Sequence, residues 1–123
     1  MPKTFLIVDD EVKIAEILAD FIEESCGEDS HILKAINGRE ALTSIDKEGH
    51  IDLIFLDIIM PELNGIKFIE KLRGERGIST PILVVSASIE EAQEKTLKFP
   101  NIGYLSKPIF KEEFDKELNK LLS

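Results

Sequence analysis

The sequence predicts a doubly wound α/β fold, a three-layer sandwich in which five parallel strands, ordered 2-1-3-4-5, lie between two layers of helices. Three observations carry that prediction. Short apolar runs alternate with longer segments of helical periodicity along the whole chain, which implies strand–helix–strand units with right-handed crossovers. The runs Phe5-Leu6-Ile7-Val8, Leu53-Ile54-Phe55-Leu56 and Ile82-Leu83-Val84-Val85 show no apolar–polar alternation, as expected of strands covered on both faces. Finally, reactive side chains stand where these runs end, and open parallel sheets bind ligands beyond the carboxyl ends of their strands, near the reversal of strand order.

The elements follow in order. The first strand runs into Asp9-Asp10, and Ile14, Ile17, Leu18, Phe21 and Ile22 then recur at helical spacing. Residues 31–36 read as a second strand, with Asn37-Gly38 marking the turn out of it. Ala41, Leu42 and Ile45 give a short amphipathic helix. The third strand ends in Asp57, and after Ile58-Ile59-Met60-Pro61 and Gly65 comes a helix carrying Ile66, Ile69 and Leu72. Thr80-Pro81 opens the fourth strand, which ends in Ser86; Ile89, Ala92 and Thr96 line a weakly apolar helix over residues 89–98. Phe99-Pro100-Asn101 stops that helix before a fifth strand over residues 102–105, followed by Ser106-Lys107-Pro108. Phe110, Phe114, Leu118, Leu121 and Leu122 form the last and strongest stripe. No linker, repeat or low-complexity segment interrupts this pattern, so one domain over residues 3–122 is expected, with no second domain.

Composition narrows the function. The 43% hydrophobic and 32% charged content suits a globular chain rather than a disordered one. No apolar run approaches the roughly 20 residues of a membrane span, and the N-terminus enters the first strand without the apolar stretch of a secretory signal. A lone Cys26 has no internal disulfide partner and reads as a small half-buried apolar residue, which fits a reducing, cytoplasmic setting. His31 and His50 have no second His or Cys at ligand spacing, which argues against zinc. The net charge of −9 argues against direct nucleic-acid binding, which needs a basic face.

Asp57 is the most informative residue. It closes a buried strand between apolar neighbours, several residues before the next helix, so helix capping explains it poorly. Asp9-Asp10 admits two readings, as caps of the first helix or as members of the same acidic site. Hard divalent cations such as Mg²⁺ take oxygen ligands, using one or two carboxylates plus water. Three clustered carboxylates repel one another, and a cation offsets that repulsion. Lys107 before Pro108 is expected as a positioned ammonium, aimed into the cleft by a cis bond. Ser86, ending the fourth strand, can donate to a phosphoryl oxygen. Together these groups suit a divalent cation and a phosphoryl group.

The chain resembles the receiver domains of bacterial two-component response regulators over residues 4–121. The matching motifs are Ile7-Val8-Asp9-Asp10-Glu11, Asn37-Gly38 with Glu40-Ala41-Leu42, Asp57-Ile58-Ile59-Met60-Pro61 with Gly65, Val85-Ser86-Ala87, and Tyr104-Leu105-Ser106-Lys107-Pro108. The resemblance implies a flavodoxin-like (βα)5 fold and residue-level roles. Asp57 would accept a phosphoryl group from a phosphohistidine. Asp10, Asp57 and the backbone carbonyl of Ile59 would hold Mg²⁺ directly (Mn²⁺ can substitute), with Asp9 acting through a water. Lys107 would pair with the phosphoryl oxygens and Ser86 would donate to another of them. Tyr104 would be an aromatic switch that follows Ser86, and Ile59 and Ser88 would tune phosphoryl lifetime. The implied partners are a sensor histidine kinase or histidine phosphotransfer protein and a downstream protein target. That target would meet the fourth helix, fifth strand and fifth helix, where a phosphorylation-dependent dimer would also form. No membrane or nucleic-acid partner is implied. Such a domain catalyses only its own phosphorylation and dephosphorylation.

Two other readings fit parts of this pattern. A phosphatase of haloacid dehalogenase type also forms an aspartyl phosphate, but such enzymes resemble one another in a second Asp two residues on, where this chain has Ile59. A flavin carrier of the same fold needs a Ser/Thr/Gly-rich phosphate loop after the first strand, where this chain has Asp9-Asp10-Glu11. Both a stand-alone receiver and the N-terminal part of a larger regulator fit the sequence.

Overall fold

A computed structural model of the chain describes residues 2–58 and 64–122. Strands β1 (Thr4–Val8), β2 (His31–Ala35), β3 (Leu53–Leu56), β4 (Ile82–Ser86) and β5 (Ile102–Ser106) alternate with helices α1 (Val12–Cys26), α2 (Gly38–Glu48), α3 (Gly65–Glu70), α4 (Ile89–Thr96) and α5 (Lys111–Leu122). All strand pairs are parallel, and the sheet order is β2-β1-β3-β4-β5. The predicted fold class and strand order are therefore the observed ones.

Strand periodicity divides the core into two layers. Leu6, Val8, Ile54, Leu56, Ile82 and Val84 face one side, where α2, α3 and α4 contribute Ala41, Leu42, Ile45, Phe68, Ile69 and Ala92. The alternate residues Phe5, Ile7, Leu53, Phe55, Leu83 and Val85 face α1 and α5, which bring Leu18, Ile22, Phe114 and Leu118. Each strand is thus apolar on both faces because each face is covered by helices. Phe55 and Phe114 stack with ring centroids 5.6 Å apart, tying α5 to the sheet centre.

Local chemistry sets the helix starts. Asn37 accepts the Glu40 N–H at 2.9 Å, Asn64 the Lys67 N–H at 3.0 Å, and Ser88 the Glu91 N–H at 3.4 Å. Several boundaries depart from expectation. Ile36 falls just beyond β2 and is exposed, its amide taken by the Glu40 carboxylate at 3.1 Å. Ile17 is also exposed; it lies at the margin of the α1 stripe, and the smaller Ala15 and Ala19 approach the sheet instead. Phe110 precedes α5 rather than belonging to its stripe. Its carbonyl accepts the Phe114 N–H at 3.0 Å, and the residue is 60% exposed. After α3 the helix widens into a π-helical turn, Lys71–Glu75, that still buries Leu72. Arg73 in this turn donates to the carbonyls of Ile78, Pro100 and Asn101, bridging to the loop before β5.

Candidate functional site

The backbone hands each acidic residue to the same edge of the sheet. Asp57 N donates to Val8 O at 2.9 Å and Asp9 N to Ala35 O at 3.0 Å, which extends the parallel ladder one step past β1 and β3. These strands flank the reversal of strand order, so their ends open into a crevice. Asp9, Asp10 and Asp57 bring carboxylate oxygens within 4.8 Å of one another, with Asp9 and Asp57 buried and Asp10 exposed. Behind them the chain must turn closely. A Cβ on Gly65 would stand 2.6 Å from Ile58 Cα and 2.9 Å from the Asp57 carbonyl oxygen, so only glycine fits there.

Lys107 completes the cluster. Its Nζ lies 3.8 Å from Asp57 Oδ2 and 3.7 Å from Asp9 Oδ2, and donates to Glu11 Oε1 at 3.0 Å. Lys107 N bonds to Ser86 O at 2.9 Å, and the Lys107–Pro108 peptide is cis. The cleft, of about 470 Å³, is lined by Asp10, Glu11, Asp57, Ser86, Ser88 and Lys107 among others. The Ser86 hydroxyl is turned to its own loop, donating to Ser88 O and accepting from Ser88 N, both at 3.1 Å. Tyr104 is half-buried and stands apart from this lining, its hydroxyl against Thr96. Ile59, expected to offer a carbonyl, lies outside the described residues.

Charge is unevenly borne. Burial pushes the Asp9 carboxyl from 3.8 up to about 6; the Glu11 amide and Lys107 oppose the rise, and the charges of Asp57 and Glu11 add to it. Burial also works against the Lys107 ammonium, but the Glu11 hydrogen bond and the fields of Asp9 and Asp57 outweigh it, raising its pKa. Asp9 settles its two readings by dividing its oxygens. Oδ1 accepts the Glu11 N–H at 2.8 Å, fixing the turn into α1, while the buried Oδ2 has no hydrogen-bond partner. Glu11, and not either Asp, occupies the α1 cap position, and its side chain makes no cap bond. An orphaned buried carboxylate oxygen beside two further carboxylates is a donor set that fits a hard divalent cation.

Two residues escaped the sequence reading. Glu11 appeared only as part of a motif string, yet it is the nearest anion to Lys107. Its place directly after the Asp pair was the available signal. Thr96 read as one position of a weak stripe, but it is completely buried and meets the Tyr104 hydroxyl. His31 pairs with Glu48 and His50 with Asp52, and among the described residues the Asp9, Asp10 and Asp57 group is the only cluster of metal-binding type. No described helix is long and apolar enough to cross a membrane.

Known proteins resemble this chain in sequence and in fold. Residues 5–119 match the response regulator receiver domain family. The transcriptional regulatory protein CiaR of Streptococcus pneumoniae is 32% identical over 120 residues, 95% of this chain and 50% of that protein. The alkaline phosphatase synthesis transcriptional regulatory protein PhoP of Bacillus subtilis is 34% identical over 123 residues, 99% of this chain and 49% of that one. The chain therefore spans about half the length of these curated relatives. The crystal structure of Vibrio cholerae chemotaxis protein CheY4 superposes with a TM-score of 0.85 at 27% identity, covering 99% of this chain and 100% of that one. Receiver domains are signalling domains rather than conventional enzymes; they bind Mg²⁺ at an acidic pocket and interact with histidine kinases and downstream effectors. The haloacid dehalogenase alternative finds no support among these relatives. The aspartate-lined crevice thus belongs to a phosphoacceptor module, and the chain is a member of the response regulator receiver domain family.

Proposed function

We propose that Asp57 accepts a phosphoryl group from a histidine of a sensor kinase or phosphotransfer protein, and that the α4, β5 and α5 face reports the event. The observation that carries this reading is the meeting of Asp57 with Asp9, Asp10 and the Lys107 ammonium at one crevice. An Asp57 carboxylate oxygen forms a bond to phosphorus as the P–N bond to the histidine breaks, and that bond's electron pair stays on the imidazole nitrogen. Phosphoryl transfer asks the protein mainly for positioning and charge neutralisation. Lys107 leaves Glu11 and pairs with the phosphoryl oxygens, and the Ser86 hydroxyl turns from Ser88 to donate to another. Asp10, Asp57 and the Ile59 carbonyl would hold Mg²⁺, with Asp9 acting through a water; Mn²⁺ would take the same oxygen ligands. When bound, the cation neutralises phosphoryl charge as a Lewis acid.

Tyr104 follows Ser86 toward the crevice, and the resulting shift in conformer populations presents α4, β5 and α5 to a downstream protein or a second copy. The receiver unit spans residues 3–122, works in the cytoplasm, contacts neither membrane nor nucleic acid, and catalyses only its own phosphorylation and dephosphorylation. Incubation with acetyl phosphate and Mg²⁺ should add one phosphoryl group, read by intact mass. Asp57→Asn and EDTA should each abolish it. Stoichiometric labelling of Asp57→Asn would overturn the assignment.

A further inference from the structure

We propose that Thr96 is the resting latch of the Tyr104 switch, a positioning residue whose hydroxyl sets how far the switch lies toward its resting conformer before any phosphoryl group arrives. The inference rests on the Tyr104 switch proposed above. Thr96 is the last residue of α4 and is 0% exposed. Its Oγ1 donates to the Ala92 carbonyl at 2.8 Å, which commits its single proton. The contact between Thr96 Oγ1 and the Tyr104 hydroxyl therefore has Tyr104 as donor and Thr96 as acceptor. Ser86, the hydroxyl that Tyr104 would follow, is meanwhile engaged with Ser88. Both moving groups are thus held by partners other than each other.

Leaving the latch has a definite consequence. When Tyr104 swings away, the acceptor oxygen of Thr96 is stranded in a fully buried position, which disfavours the move. Only Ala92 and Thr96 of α4 are buried, so the latch also carries much of that helix's hold on the sheet. Releasing it connects the movement of one ring to the loosening of one helix.

The chain contains one tyrosine and no tryptophan, so 3-fluorotyrosine incorporation gives a single ¹⁹F resonance belonging to Tyr104. Beryllofluoride with Mg²⁺ should move that resonance from a resting to an activated position. In Thr96→Val, which keeps the shape and removes the acceptor, the resting resonance should move part of the way without beryllofluoride, a change of about three- to tenfold in the conformer ratio. Beryllofluoride affinity should rise by up to the same factor through linkage. Thr96→Ser should restore the wild-type position. In a Tyr104→Phe background, where the donor is gone, Thr96→Val should add nothing to beryllofluoride affinity measured by calorimetry; Thr96→Ala, alone and in the Tyr104→Phe background, decides the matter if Thr96→Val folds poorly. A wild-type resonance that moves with beryllofluoride while the Thr96 variants match wild type would overturn the latch and leave the switch standing. A wild-type resonance unmoved by beryllofluoride would overturn both.

Discussion

Asp9 holds one carboxylate oxygen on the Glu11 amide and leaves the other buried without a hydrogen bond, 3.7 Å from the Lys107 ammonium. A carboxyl raised to about 6 in the folded chain binds its proton more tightly there than in the unfolded chain, whose value is near 3.8. The folded state therefore carries more protons between those values, and metal-free stability falls as pH rises through roughly 4 to 6. Asp9→Asn should stabilise the metal-free protein by about 1–2 kcal/mol above pH 7, with the advantage vanishing below pH ~4. The same substitution should weaken Mg²⁺ binding. Thermal melts across pH, with and without Mg²⁺, check both; an Asp9→Asn protein less stable than wild type at pH 8 without metal would contradict this account. We propose that phosphoryl lifetime is also set by single residues. In receivers the positions two beyond the acceptor Asp and two beyond the hydroxyl residue flank the path of attacking water, and here they are Ile59 and Ser88. Ile59 cannot orient a water, and the Ser88 hydroxyl caps α4. Combining Ile59→Asn with Ser88→Glu should speed loss of the acyl phosphate at least about threefold, because orienting the nucleophile is a main lever in this chemistry. Ser88→Ala serves as the control for the lost cap, and equal decay in the double variant and wild type would place the control of lifetime elsewhere.

Among the helices, α4 is the one that buries no large apolar side chain. It spans Ile89–Thr96 and buries only Ala92 and Thr96, with its first turn capped by a long Ser88 bond. Elements with few buried contacts open at low free energy and are the ones that shift in switching. By contrast, α5 inserts Phe114 between Phe21 and Phe55, and the end of α3 is bridged through Arg73 to the loop before β5. Beryllofluoride should therefore alter amide exchange first across α4 and then along β5 and the adjoining face of α5, while α2 stays unchanged. Changes confined to the loops around Asp57 would show that the signal does not reach that face. This difference in grip was legible in the sequence as the thin Ile89, Ala92 and Thr96 stripe. The π-helical turn at Lys71–Glu75 was not, because its residues have ordinary helical character and the widening accompanies the tertiary reach of Arg73.

At the scale of the whole molecule, the acidic crevice exists because β1 and β3 are neighbours while β2 lies outside them. Residues 9 and 57 are far apart in the chain, and the parallel ladder alone sets their carboxylates side by side. Lys107 reaches them from β5, two strands beyond β3, through the backbone link of Lys107 to Ser86. The sequence by itself determined the alternation of elements and pointed to the observed strand order, and it set Asp9, Asp10, Asp57, Ser86 and Lys107 at strand ends. Continuous apolar runs, helical stripes and polar strand ends are local patterns, and they favour a parallel sheet covered by helices on both faces. Ile17, Ile36 and Phe110 show the limit of that reading: each is apolar, yet each lies at an element's margin, where a few degrees of rotation or one residue of boundary decides burial. Tertiary structure alone decided that Glu11 holds Lys107 and that Thr96 receives the Tyr104 hydroxyl. Such contacts depend on side-chain direction across two or more elements, which no spacing along a single chain encodes.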